Sequence, residues 1–176
     1  MTKDQIQILI DHLIRLQKDE RRGSGAMATL RRALSGEQAD VLRAYEYVGN
    51  LVPNAIQEQN DCILVAALFA LHQSACKSQW DNLGTHLAAL RRRKQEQKES
   101  TDSLDRRFST LVAASRAELP YHLRAVVSLL KDAEIPIDWT RLLSDVLYWE
   151  YDSPDPAKPT VQRRWANAYW QSPREI

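Results

Sequence analysis

Ten consecutive apolar residues, Cys62 to Leu71, form the longest such run in the chain. That is half of the ~20 needed to cross a bilayer, so the run reads as a helix buried inside protein. A helix apolar nearly all round must be covered on every side by other elements. The covering elements can be read on both sides of it. Ile6, Leu9, Ile10, Leu13 and Leu16 recur at steps of three and four, as do Val41, Tyr45, Val48 and Val52. Leu104, Phe108, Leu111 and Val112 form another stripe, and Leu119, Leu123, Val126, Val127 and Leu130 another. Trp139, Leu142, Val146 and Trp149, then Val161, Trp165 and Ala168, complete the series. Each stripe predicts an amphipathic helix with one buried face.

With only five glycines in 176 residues and few β-branched runs, sandwiches and barrels are disfavoured. The expected fold is all-α, roughly eight helices. The first covers 3–22, opened by a Thr2–Gln5 capping box and ended by Gly23-Ser24-Gly25. A short helix over 26–34 buries Met27, Leu30 and Leu34. Ser35 with Gln38 is expected to cap the next, and Pro53 to stop it. The central helix is expected over 55–76, and Ser78 with Asp81 to cap its successor. Pro120 falls in the first turn of its helix, where a missing donor does no harm. Asp138 and Thr160 open the last two helices, separated by a proline-stiffened loop over 151–159. Apolar residues vanish between Arg91 and Asp102. That gap predicts two small helical-bundle lobes, 1–100 and 101–176.

Net charge is only +1, but 17 of the 24 cations are Arg, many in clusters. A guanidinium is a rigid multi-donor fork suited to phosphate. Cys62 and Cys76, fourteen residues apart, match no zinc spacing and read as small core hydrophobes in a reducing compartment. Lys3, Asp4 and Asp11 make the N-terminus unlike a secretory signal. A soluble cytoplasmic protein with no membrane partner is therefore expected.

Catalytic signals are thin. No phosphate loop, Gly-x-Ser-x-Gly, His-Glu-x-x-His or Cys-x-x-Cys occurs. Glu118 and His122 have metal-capable i, i+4 spacing, but a metal centre needs partners on facing helices, and an isolated pair of this kind reads as a solvated contact rather than a metal site. His72 with Cys76 reads as core-edge packing rather than base and nucleophile. The expectation is no enzyme, no metal and no cofactor.

The basic faces carry more information. Ala28, Arg31, Arg32 and Ser35 share the face opposite Met27 and Leu30, and Ser35 adds a possible donor to phosphate. The competing reading is a solvated face paired to Glu37 or Asp40. Tyr121, Arg124, Ser128 and Lys131 interleave an aromatic ring with cations, the pattern of a single-strand stacking and phosphate surface. Arg106, Arg107 and Arg116 could extend it, and Arg163, Asn167 and Trp170 repeat it on the last helix. Trp139, Trp149 and Trp165 follow the apolar stripes and read as core anchors. Arg91-Arg92-Arg93-Lys94 either complements a helix dipole or touches nucleic acid. The alternative from another class is a helical protein–protein adaptor with no nucleic-acid role.

Several segments occur in a familiar order: Gly25 to Ala33 (GAMATLRRA), Ala66 to His72 (AALFALH), Leu83-Gly84, Arg106 to Leu111 (RRFSTL), Leu123 to Leu130 (LRAVVSLL), Ile137 to Trp149 (IDWTRLLSDVLYW) and Val161 to Trp170 (VQRRWANAYW). Together, over about residues 20–171, they resemble the CasB family, the small subunit of the type I-E CRISPR surveillance complex, Cascade. The resemblance implies a non-catalytic, all-α, two-lobed subunit. Its implied partners are the backbone and large Cascade subunits, a second copy of itself, guide RNA and target DNA. It also implies that basic faces stabilise the displaced non-target strand, and so the R-loop. The family's basic positions fall on Arg31, Arg32, Arg107, Arg116 and Arg124, with Arg106 and Arg163 beside them; Lys131 comes from the face pattern alone. The 91–98 tract and the 152–159 loop correspond to no motif of that family.

Overall fold

A computed structural model describes residues 1–76, 81–151, 155 and 157–171. Among them are nine α-helices: α1 (Lys3–Gln17), α2 (Gly23–Arg32), α3 (Gln38–Val48), α4 (Ile56–Leu71), α5 (Leu83–Glu96), α6 (Asp102–Ala113), α7 (Leu119–Asp132), α8 (Trp139–Leu147) and α9 (Val161–Trp170). The all-α expectation holds.

The apolar run lies in α4, buried at nearly every position from Cys62 to Ala70. Helices α1, α2, α3, α7 and α8 pack around it, while α5 packs on α9 and α6 joins α7 and α9. One apolar cluster runs from Ile6 to Tyr169, so side chains from both sides of residue 100 share it. Trp139, Trp149 and Trp165 are core anchors, each at most 1% exposed. Their indole N–H groups donate to Ser74 O, Ala114 O and Asp145 Oδ2, respectively.

Local differences have local causes. α1 ends at Gln17 rather than at residue 22, because the Asp19 carboxylate accepts from the backbone N–H of Arg21 and Arg22 and turns the chain there. Gly23 then begins α2 instead of ending α1. A Cβ on Gly23 would lie 2.7 Å from Leu16 O, so only glycine allows this tight entry. Ser35 does not cap α3. It closes a 3₁₀ turn (Ala33–Ser35) followed by Gly36 at φ 76, and Glu37 takes the N-cap position without a side-chain bond. α4 stops at Leu71 rather than 76 because Ser74 to Cys76 turn extended and pair with Ile137. Asn82 caps α5 through Thr85 N–H; Ser78 lies outside the described residues, as do 152–154 and 156 of the proline loop. On α9, Tyr169 fills the inward position, and Ala168 is only half-buried. The Thr2–Gln5 box and the Asp138 and Thr160 caps form as expected.

Candidate nucleic-acid interface

Among the described residues, the basic side chains divide into those held by carboxylates, those held by backbone and those with no partner. Arg31, exposed at the end of α2, donates from Nε to Ala70 O at 3.0 Å. Arg124, on the exposed face of α7, donates from Nη1 to Leu34 O at 3.4 Å. Leu34 lies three residues beyond Arg31 and two beyond Arg32, so α7 brings its cation to the turn that ends α2. A guanidinium has five N–H donors. One bond to a carbonyl orients such a group without neutralising it. Arg32, beside them, is exposed and its side chain has no partner among the described residues.

Of the two acids expected to compete for this face, Glu37 pairs with neither Arg31 nor Arg32, and Asp40 is used elsewhere. Asp40 accepts from Ser35 Oγ at 3.0 Å and pairs with Arg43 at 3.7 Å. Ser35 Oγ also accepts from Glu37 N–H, which commits it to the turn rather than to a phosphate. Farther along α7, Lys131 is exposed, and Tyr121, 75% exposed, precedes Arg124 by three residues. Arg106 and Arg107 stand exposed on α6, which packs on α7. Arg163 is exposed on α9 and makes no hydrogen bond or ion pair with the other candidates.

Arg116 is placed differently. Its side chain is 21% exposed, and Nη1 lies 2.8 Å from Asp61 Oδ2, Nε 3.5 Å from Glu150 Oε2 and Nη2 3.4 Å from Leu147 O. Burial pushes the Asp61 carboxyl above its usual range, against the pull of Arg116. Two further acids, Asp145 buried and Asp105 half-buried, organise cations on other helices. Asp145, 2% exposed, accepts from Trp165 and pairs with Arg141 and Arg164, tying α8 to α9. Asp105 accepts from Arg91, Thr101 and Tyr169. Burial alone would raise the Asp105 carboxyl, but those hydrogen bonds outweigh it and hold the group below its usual range. The sequence signal for Asp61 and Asp145 was a lone carboxylate beside or within an apolar stripe.

Glu118 is occupied by the N–H and hydroxyl of Ser115, which lower its pKa. His72 Nε2 meets Ile135 O at 2.7 Å, a contact within the core rather than with Cys76. Burial pushes the Cys62 thiol up to about 12, a poor nucleophile. Among the described residues, no group of three or more His, Cys, Asp or Glu side chains could hold a metal, and no helix is long and apolar enough to cross a membrane.

Three comparisons bear on this geometry. Residues 26–170 match the family described as CRISPR-associated protein Cse2. A CRISPR-associated protein Cse2 from Thermus thermophilus is 34% identical over 164 residues, covering 92% of this chain and 87% of its own. The crystal structure of CasB from Thermus thermophilus superposes with a TM-score of 0.72 at 32% identity, covering 94% of this chain and 97% of that one. A chain of a CRISPR RNA-guided surveillance complex in a pre-nicking state gives a TM-score of 0.76 at 25% identity, over 97% of this chain and 94% of that one. On the extent of those matches across α2 to α9, the chain belongs to the CRISPR-associated Cse2, or CasB, family.

Proposed function

We propose that this chain is a non-catalytic small subunit of a Cascade ribonucleoprotein that holds the displaced non-target DNA strand, without sequence preference, and so stabilises the R-loop. Its partners in this reading are the backbone and large subunits, a second copy of itself, guide RNA and target DNA. The observation that carries the reading is the meeting of Arg31 and Arg124 at one turn, each oriented by a carbonyl and neither paired with a carboxylate among the described residues. Arg32, Lys131, Arg106 and Arg107 extend that surface, and Tyr121 offers a ring on which a base can stack. Arg116 is left out, because Asp61 and Glu150 already offset its charge. The division into lobes at residue 100 belongs to the same proposal, with α5 against α9, α4 and α1 against α8, and α4 and α5 against α7 joining them.

The energetics suit modest contacts. R-loop opening exchanges one duplex for another of similar stability, so a few protein–phosphate contacts can tip the balance. Five such contacts (Arg31, Arg32, Arg107, Arg124 and Lys131) predict a log–log salt slope of about −3.5 for single strands. Affinity of the isolated subunit is therefore weak and salt-sensitive, and assembly supplies the effective concentration.

Charge reversal of Arg31, Arg107 and Arg124 together is expected to shorten R-loop lifetime on target DNA while leaving the helical circular dichroism unchanged. An unaltered lifetime overturns the reading. A protein–protein adaptor would instead show no single-strand binding in a gel-shift series, even at the lowest salt.

A further inference from the structure

The Arg91–Lys98 tract and Trp170 have no part in the interface above, and the fold brings Arg91, the first residue of the tract, against Trp170. Trp170 closes α9 with 49% of its surface exposed, large for an indole in a chain that buries three others. Its ring is fixed from behind rather than left to rotate. The Arg91 guanidinium lies 5.2 Å from its centroid, Tyr169 meets it edge-on at 4.7 Å, and Phe108 does so at 6.1 Å. Arg91 is itself anchored on Asp105 at 2.9 Å. Asn167 and Arg163 lie three and seven residues before Trp170 and share its exposed face, spanning about 10 Å along the axis. α9 contains no Asp or Glu, and exposed Arg92 follows Arg91 on the neighbouring helix.

From this geometry we infer that the exposed face of α9 is a second single-strand nucleic-acid subsite, where an unpaired base stacks on Trp170 and Arg163 takes a flanking phosphate. A preorganised ring loses little freedom on stacking, and every base offers a π-face, so the site is sequence-tolerant. Arg91, its charge offset by Asp105, serves to fix the ring, while the exposed Arg163 and Asn167 along the same face and the lack of carboxylates on α9 favour a polyanion over an acid-studded or basic protein surface. The inference rests on reading the chain as a nucleic-acid binder, but on a surface separate from the α2–α7 junction.

The test uses the full chain and two oligonucleotides of equal length and charge, oligo-dT and its abasic counterpart, at low salt. Wild-type protein is expected to bind oligo-dT more tightly than the abasic strand. W170A should lose about fivefold or more on oligo-dT and nothing on the abasic strand, whereas W170F should retain most of the difference. R163E should weaken both strands alike. Equal affinity of W170A and wild type for oligo-dT, or no wild-type discrimination between the strands, overturns the inference, as does a W170A effect confined to docking of a protein subunit. Reversal of Arg31 and Arg124 separates the two surfaces. Loss of binding there with W170A unaffected would sink this subsite alone, and the converse would sink only the α2–α7 interface.

Discussion

At the scale of single residues, the arginines sort by what faces them. Arg31 and Arg124 rest on carbonyls and keep their charge available; Arg116 is spent on a buried carboxylate. The consequence can be measured. In Arg116→Ala, Asp61, 6% exposed in the intact pair, would lose its cation, and breaking a buried pair in this way costs on the order of 3 kcal/mol. Burial already raises the folded-state pKa of Asp61 above that of an ordinary aspartate. For a carboxyl raised on folding, stability is fully present below the unfolded pKa and is lost as pH rises through the folded one. The variant's deficit in urea unfolding should therefore be larger at about pH 7 than at about pH 4. A deficit independent of pH would show that Asp61 does not depend on Arg116. Neighbouring positions in sequence do not separate these roles, since the partners lie 55 residues away for Arg116 and 39 for Arg31.

At the scale of elements, α5 and α9 meet as closely as two helices can. A Cβ on Gly84 would lie 2.2 Å from Trp165 O, a backbone atom that no side-chain rotation can clear. Gly84→Ala must part the helices, and overpacking of this kind costs roughly 1–3 kcal/mol. A thermal melt should show that loss, together with changed near-ultraviolet dichroism from Trp165, while Gly25→Ala, with nothing within 4 Å of the added Cβ, should not destabilise. An unchanged melting temperature for Gly84→Ala would mean the helices sit farther apart in solution. The same packing sets the α9 face, because Arg91 on α5 reaches Trp170 only while that close approach holds. The helices themselves were legible from their stripes and from the Thr2, Asp138 and Thr160 caps. Their ends were less so, since an Asx turn at Asp19 and a backbone pairing between Ser74–Cys76 and Ile137 override local propensity.

At the scale of the whole molecule, one apolar cluster crosses the charged stretch near residue 100, with α4 touching α7 and α8, and α5 touching α9. A core shared in this way predicts a single cooperative unfolding transition, with calorimetric and van't Hoff enthalpies equal. Two resolved transitions would mean that the lobes fold independently. What the sequence determined by itself was periodicity: an all-α chain around one apolar helix, the inward tryptophans, and the ordered segments of the CasB family. Hydrophobic spacing at three and four residues carries that information locally, within each helix. Which arginines stay unneutralised, and that Arg91 supports Trp170, was decided only in three dimensions. A charge is offset by whatever the fold places within a few ångströms of it, and those neighbours come from helices far apart in the chain.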